Sequence, residues 1–149
     1  MATFQEQLKK AKKLTPKRVS KDLFEFIRSL ERTLAQFNKG QLFIDSKDVD
    51  GNPIGFYSPG TEKITKGRKK AGDPFNLFEE GKLLGSLIAK VQISERNILF
   101  DFTDPKKNEV FKNLLSENIL GLSDENLQIA LRTPAKEFLQ KYYRRKLDL

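Results

Sequence analysis

One stretch in the middle of the chain constrains the fold most, because its side chains alternate between apolar and polar. Leu87, Ala89, Val91 and Ile93 share one side of an extended chain, which is the pattern of a strand with one buried face. After a polar break at 94–97, a second run alternates in the same way, and the two runs predict an antiparallel hairpin. Its apolar residues are Ile98, Phe100 and Phe102. A hairpin alone is marginally stable in water, so we expect flanking helices to cover its apolar face.

The segment before the hairpin predicts one core helix over residues 20–38. Ser20 is a favourable N-cap, and apolar residues follow it at spacings of three and four, as in an amphipathic helix. Those residues are Leu23, Ile27, Leu30, Leu34 and Phe37. Lys39 and Gly40 predict the end of the helix, with Gly40 as the C′ residue. The short segment 41–45 is apolar at Leu42, Phe43 and Ile44, which predicts a brief strand.

Residues 1–19 predict a basic N-terminal arm. Residues 2–14 can form a helix that carries several lysines, and Thr15 followed by Pro16 interrupts it, because proline disfavours helix at the preceding residue. Two interpretations remain open at this point. The arm is either frayed and solvated, or it docks on a neighbouring molecule or on phosphate.

Three helix-start signals follow the hairpin. Asp104 and Pro105 form an N-cap followed by proline at the first helical position. Ser123 is another N-cap, with two acidic residues in the next turn. Thr133 and Pro134 either kink that helix or restart it as a new helix capped by Thr133.

Helices on both sides of a central hairpin indicate the α+β class with segregated elements. We expect a single domain with N-terminal helices, a central antiparallel β-hairpin or small sheet, and C-terminal helices. The predicted divisions of residues 1–149 are a basic N-terminal arm at 1–19, a core helix at 20–38, a β-rich centre at 41–104 that contains a basic loop at 61–72, and C-terminal helices at 105–149.

The chain carries a formal charge of +8, which favours anionic partners: nucleic acid, an acidic protein face or a membrane surface. The predicted loop at 61–72 carries five cations against one acidic residue. We expect this loop either to be solvated and mobile or to bind phosphate or a partner protein. It contains no aromatic residue on which bases could stack, which argues against sequence-specific recognition of single strands. The candidate contact residues are Lys63, Lys66, Arg68, Lys69 and Lys70.

The residue types of most catalytic and metal sites are missing or wrongly spaced. The chain has no His and no Cys, which excludes imidazole bases, thiol nucleophiles and metal sites built from those residues. Asp45, Asp48 and Asp50 lack the spacing of a calcium loop. No apolar run approaches the ~20 residues that span a bilayer. We therefore predict no enzyme activity, no cofactor, no metal site, and neither a membrane nor a small molecule as partner.

A turn and a strand entry in the centre together resemble a pattern of the virion-morphogenesis or tail-completion proteins of tailed bacteriophages. An Asp-x-Asp-Gly-x-Pro turn begins at Asp48, and an aromatic residue, a Ser-Pro piece, a Thr and the basic loop follow it. A second part, with Leu, Gly, Leu and Ser, enters the strand at Leu87. The residues that carry the pattern are Asp50, Gly51, Pro53, Thr61, Leu77, Gly81, Leu83 and Ser86.

The resemblance implies a non-enzymatic structural subunit of a phage virion. Such a subunit would form part of a ring at the portal vertex, neck or tail, and act in head–tail joining or tail completion. It implies as partners further copies of the chain, neighbouring portal, neck or tail proteins, and packaged DNA through non-specific contact. Composition alone supports an alternative, a small basic nucleic-acid-binding protein that contacts phosphate backbones.

Overall fold

The computed structural model describes residues 2–55, 59–64, 66–67, 70–72, 82–108, 111 and 117–149. Helices lie at both ends of the chain with a two-stranded antiparallel sheet between them, so the predicted α+β class is confirmed. The helices before the sheet are α1 (Phe4–Lys13), α2 (Pro16–Arg28), α3 (Glu31–Phe43), α4 (Pro59–Ile64) and α5 (Lys82–Gly85). The strands are β1 (Leu87–Gln92) and β2 (Asn97–Phe102). After the sheet come a 3-10 turn (Glu117–Ile119), a short α-helix (Asp124–Leu127), a π-helical turn (Gln128–Arg132) and the C-terminal helix (Thr133–Leu147).

The single helix predicted over 20–38 is wrong at its start. Thr15, not Ser20, is the N-cap: its hydroxyl accepts a hydrogen bond from the Arg18 N–H at 3.2 Å. Pro16 takes the first helical position, where its missing N–H costs nothing. The signal that predicted an interruption of one helix is therefore the start of the next.

The same prediction is wrong in its middle, because a break separates α2 from α3. The Ser29 hydroxyl donates to the Phe26 carbonyl at 2.5 Å, which competes with the regular helical pattern. The Leu30 N–H bonds to the Ile27 carbonyl, three residues back, so the last turn of α2 tightens before α3 begins.

The strand predicted for 41–45 and the helix end predicted at Gly40 are also wrong. α3 continues through Gly40 and ends at Phe43. A glycine inside a helix costs about 0.5–1 kcal/mol relative to alanine. Burial of Leu42 in the turn that follows offsets that cost, since this apolar side chain is fully removed from solvent.

The predicted N-terminal helix is confirmed as α1, but the arm predicted at 1–19 ends earlier, where α2 begins. Thr3 and Glu6 exchange side-chain-to-backbone hydrogen bonds in a capping box that fixes the start of α1. α1 buries none of its residues, yet it contacts the C-terminal helix, and Lys10 pairs with Asp148 there. The structure thus places α1 on another helix of its own chain.

The predicted hairpin is confirmed. Its inner face consists of three cross-strand pairs: Leu87 with Phe102, Ala89 with Phe100, and Val91 with Ile98. α2 and α3 pack against β1 and supply the cover that the hairpin needs. The Glu31 carboxylate, at the start of α3, accepts a hydrogen bond from the Val91 N–H at 2.6 Å, which pairs a backbone donor on the edge of β1.

Two clusters of buried side chains form the core among the described residues. The first joins the end of α3, α5 and the two ends of the hairpin that meet at its base: Leu42, Ile54, Leu83, Leu84, Leu87, Phe102 and Ile119. The second joins α2 and α3 to the middle of β1 and to the chain after the 3-10 turn: Ile27, Leu34, Ala35, Ala89, Val91, Leu122 and Ala130. Because β1 contributes to both clusters, the hairpin links them.

Two buried amide side chains on α3 hold the segment that follows the 3-10 turn. Asn38 donates to the Ile119 carbonyl and accepts from the Gly121 N–H, both at 3.0 Å. Gln41 donates to the Gly121 carbonyl at 3.3 Å and accepts from the Ser123 N–H at 2.9 Å. The two side chains pair backbone groups at the end of the 3-10 turn and in the residues that connect it to the next helix.

Two of the helix-start signals after the hairpin are confirmed. The Asp104 carboxylate accepts from the Lys106 N–H at 2.9 Å, before helical residues at 107–108. The Ser123 hydroxyl accepts from the Asn126 N–H at 3.4 Å and caps the next helix.

For Thr133 and Pro134, a restarted helix is the wrong interpretation. Thr133 has helical backbone angles rather than those of an N-cap, and the helix runs on past Pro134. The Thr133 N–H bonds to the Gln128 carbonyl, five residues earlier, as in a π-helical turn. This wider turn lies where proline disturbs the normal α-helical pattern.

Candidate functional site

The basic residues predicted to contact a partner are partly described by the structure. Lys63 lies in α4, so the loop predicted at 61–72 begins as a short helix, and that part of the prediction is wrong. Pro59 at the start of α4 has a ring that favours helical φ, which the loop prediction overlooked. Arg68 and Lys69 lie outside the described residues. The other three are all exposed: Lys63, Lys66 and Lys70.

The predicted turn of the phage-like pattern is confirmed, and Asp48 organises it. One carboxylate oxygen of Asp48 accepts hydrogen bonds from the backbone N–H groups of Asp50 at 2.9 Å and Asn52 at 3.0 Å. Gly51 has a φ of 81°, a left-handed conformation that favours glycine. Pro53 closes the turn through a backbone bridge to the residue before Asp48.

This turn is attached to the 3-10 turn and to the residues that follow it. The Val49 N–H bonds to the Asn118 carbonyl at 3.0 Å, and the Asn118 side-chain amide donates to the Asp50 carboxylate at 2.7 Å. A Cβ at Gly121 would lie 3.2 Å from the Val49 side chain, so the two segments approach closely. The carboxylates of Asp48 and Asp50 therefore serve a structural joint.

The strand entry of the pattern also has an architectural role. Leu83 is buried in the first core cluster, and the Ser86 hydroxyl donates to its carbonyl at 2.7 Å. The Ser86 carbonyl accepts from the Thr103 N–H at 3.0 Å, which extends the pairing at the base of the hairpin. The remaining residues are Thr61, which lies in α4, and Leu77 and Gly81, which lie outside the described residues.

Basic residues outside the predicted loop at 61–72 come together in a groove between α2 and the turn end of the hairpin. The groove has a volume of about 610 Å³. One wall is the face of α2 that carries Lys17, Ser20, Lys21 and Arg28, and the other wall runs from Lys90 through the hairpin turn. We call it the basic groove; its five cations are Lys17, Lys21, Arg28, Lys90 and Arg96.

The five cations of the basic groove are exposed and make no ion pair with a described acidic residue. Glu95 is the single acidic residue among the described residues of the lining. The Ser94 hydroxyl donates to the Glu95 carboxylate at 2.7 Å, and this hydrogen bond lowers the pKa of Glu95 below its usual value. The groove therefore keeps a strong positive surplus that a bound anion can neutralise.

Sequence reasoning missed this groove because it assigned Lys17 to the N-terminal arm at 1–19 and not to the helix that follows it. Once α2 begins after Thr15, residues 17, 21 and 28 fall on one helical face, since positions four and eleven apart are close to whole turns. That spacing was the available signal. No such spacing could have added Arg96 of the hairpin turn, because this residue is distant from α2 in the sequence.

The C-terminal helix fixes the position of α2 from its other side. The Tyr142 hydroxyl donates to the Asp22 carboxylate at 2.6 Å, and the Phe26 and Phe138 rings stack with centroids 4.4 Å apart. Tyr142 is 2 % exposed. Burial of the Tyr142 hydroxyl raises its pKa to about 12, and the hydrogen bond to Asp22 and the negative charge of Asp22 add to this effect.

We expect Tyr142→Phe to lower the free energy of unfolding near neutral pH by about 1.5 kcal/mol, since a hydrogen bond to a charged group is lost. The folded-state pKa lies above the ordinary value of 10.0, so the unfolded state loses the Tyr142 proton first as the pH rises. The stabilisation is complete below pH 10 and is lost as the pH approaches about 12. Urea unfolding across this range should show the difference between wild type and variant shrinking.

The control for this change is Tyr143→Phe, which removes a hydroxyl from a neighbouring side chain that is 39 % exposed. It should change stability near neutral pH by less than about 0.5 kcal/mol. An equal loss in both variants would contradict the role given to the Tyr142–Asp22 hydrogen bond.

The outer face of the hairpin is open to solvent. Ile88 and Leu99 lie on this face and are 43 % and 47 % exposed. Ile88 pairs with Asp101 and Leu99 pairs with Lys90, so the two apolar side chains are diagonal neighbours. The Asp101 carboxylate pairs with Lys107 at 2.9 Å beside them. We call Ile88 and Leu99 the outer apolar pair.

Metal-binding and membrane-spanning features are absent from the described part of the chain. No group of three or more Asp, Glu, His or Cys residues is close enough there to hold a metal ion. No helix among the described residues is both long and apolar enough to cross a membrane.

Comparison of the chain with protein-family models, with curated proteins and with solved structures finds no match.

Proposed function

We propose that the chain is a non-enzymatic structural subunit of a tailed-phage virion. In this proposal, copies assemble into part of a ring at the portal vertex, neck or tail, and the ring joins head to tail or completes the tail. The partners are further copies of the chain and neighbouring portal, neck or tail proteins. The resemblance in the central turn and strand entry supports the phage assignment, and the outer apolar pair is the observation that carries the assembly argument.

The outer apolar pair suits a contact between subunits. Most apolar residues of the hairpin face the core, whereas Ile88 and Leu99 lie side by side on the exposed face of a sheet that has two strands within the described part of the chain. A neighbouring subunit that covers this face would bury both side chains, which is favourable in proportion to the area removed from water. A contact between this face and a different face of the next copy repeats by rotation, and a ring results when the rotation closes.

The carboxylates that the sequence offers for chemistry are also consistent with a non-enzymatic subunit. Asp48 and Asp50 accept hydrogen bonds that join the central turn to Asn118 and to the turn's own backbone. Asp22 accepts from Tyr142, and Glu31 accepts from a strand N–H. These acids are engaged in holding the fold together.

The test is light scattering on the purified chain, alone and mixed with the portal, neck and tail proteins of the same phage genome. We expect a discrete assembly whose mass is a multiple of 17.2 kDa, alone or on a partner. The double variant Ile88→Glu and Leu99→Glu should weaken this assembly at least ~10-fold, because two charges would have to be buried in the contact.

A matched control is Ile129→Glu. This isoleucine is 55 % exposed and lies in the π-helical turn, outside the hairpin. It should leave the assembly intact. A chain that stays monomeric with every virion protein, at all concentrations, would refute the proposed function. Equal weakening by Ile129→Glu would remove the outer apolar pair as the contact.

A further inference from the structure

We propose that the basic groove binds the phosphate backbone of a nucleic-acid duplex without reading its sequence. This inference goes beyond the assembly role and does not depend on it, because a single copy of the chain contains the whole groove. The observations that carry it are the number of exposed cations in the groove that make no ion pair with a described acidic residue, the arrangement of three of them along α2, and the chemistry of the remaining lining.

Three of the cations, Lys17, Lys21 and Arg28, are spread along α2 rather than gathered around a point. Lys17 and Arg28 are eleven residues apart on one helical face, which corresponds to about 16 Å at 1.5 Å per residue. A single phosphate or a nucleotide could contact only a fraction of that length. Duplex DNA carries one phosphate per 3.4 Å of axis on each strand, so about five phosphates of one strand cover the same distance. Three of the groove's five cations, Lys17, Lys21 and Arg28, lie along that length of α2, and the other two come from the hairpin wall.

The rest of the lining fits a phosphate backbone better than bases. Among the described residues the lining contains no aromatic side chain, so they offer no platform on which the bases of a single strand could stack. Ser20, Gln92 and Ser94 add short polar groups that can donate hydrogen bonds to phosphate oxygens. Contacts of this kind position a duplex and carry no sequence information.

The positive charge of the basic groove suits a nucleic-acid duplex better than it suits an acidic protein segment. Duplex DNA has a condensed layer of counterions, and each phosphate neutralised by Lys or Arg releases counterions into solution. A dense row of unpaired cations gains most from that release. A second basic pocket, of about 340 Å³, lies on the neighbouring side of α2 and brings in Arg18, Arg145 and Lys146, so the positive surface continues around the start of the helix.

The experiment measures binding of the full chain to a fluorescent duplex of arbitrary sequence by anisotropy, between about 50 and 200 mM salt. We expect log affinity against log salt to have a slope of about −4.5, because each of five contacts contributes about −0.9. The double variant Lys21→Glu and Arg28→Glu should bind at least ~10-fold more weakly at low salt, with a slope of about −2.7. A second duplex of different sequence should bind equally well.

The matched control is the double variant Lys106→Glu and Lys136→Glu. It changes the net charge by the same amount, on exposed residues outside both basic pockets. We expect its affinity to stay within ~3-fold of wild type. The neutral variant Lys21→Gln and Arg28→Gln, checked for an unchanged unfolding curve, should also weaken binding.

Three results would overturn the inference. One is equal weakening by the groove and control variants, which would assign binding to net charge alone. Another is no measurable duplex binding at the lowest salt. The third is tighter binding of polyglutamate than of duplex at equal charge, which would assign the groove to an acidic protein partner. The assembly measurement by light scattering is separate, so the two proposals can fail independently.

Discussion

Replacement of Phe102 by alanine is expected to lower the free energy of unfolding by about 3–5 kcal/mol, the usual cost of deleting a buried aromatic side chain. Phe102 is 1 % exposed and ends β2 inside the first core cluster. Its partner across the sheet is Leu87, and its ring lies 6.3 Å from that of Phe111. Since a domain of this size is stable by only about 5–15 kcal/mol, the loss should be visible as a large shift in a urea unfolding midpoint.

Leu99→Ala is the control for that change, because Leu99 lies on the same strand and points to the opposite face. Its side chain is 47 % exposed, so truncation should cost less than about 1 kcal/mol. A Phe102→Ala variant that unfolds at the same urea concentration as Leu99→Ala would contradict the assignment of the inner face to the core.

The hairpin could be predicted because both signals that define it are local. Alternation with period two assigns the buried face, and the polar break sets the position of the turn. The register that pairs Leu87 with Phe102 follows once the apolar positions of both strands are placed on the same side.

Helix boundaries were harder to predict because several capping signals compete within a few residues. Thr15 and Ser20 are both favourable N-caps, and only the structure shows that Thr15 accepts the Arg18 N–H. The end of α3 was misplaced because Gly40 is a typical C′ residue. Tertiary burial of the next turn outweighed that local preference, as the burial of Leu42 shows.

The candidate site shows the same limit more strongly. A run of basic residues can be found by inspection of the sequence, and the loop at 61–72 is predicted as a contact surface on that basis. The basic groove combines Lys17, Lys21 and Arg28 with residues of the hairpin turn, more than sixty positions away in the sequence. A composition or spacing rule cannot bring those two parts together, because their proximity depends on α2 packing against β1.

The buried amides of α3 were also missed, although their positions carry a signal. Asn38 and Gln41 fall on the apolar face of α3, between Leu34 and Leu42. A polar residue at a core position needs partners, because an unpaired buried amide costs free energy. The sequence could therefore have shown that the amides are paired, but not that the partners are the backbone of residues 119–123.

We expect Asn38→Ala to lower the free energy of unfolding by about 3 kcal/mol, because it leaves two buried backbone groups without their partner. Those groups are the Ile119 carbonyl and the Gly121 N–H. Asn38 itself is 0 % exposed. Urea unfolding measures the loss, and Gln36→Ala, an exposed position on the same helix, should be close to neutral.

A double-mutant cycle with Gln41→Ala tests whether the two amides act together. Both side chains hold Gly121, one through its N–H and the other through its carbonyl. Once one amide is removed, the segment can move and solvate its backbone, so the second removal should cost less than it does alone. We expect a coupling of about 0.5–3 kcal/mol, as is usual for residues in one hydrogen-bond network. Strictly additive losses would mean that the segment stays in place without either amide, and that the first core cluster holds it through Ile119 alone.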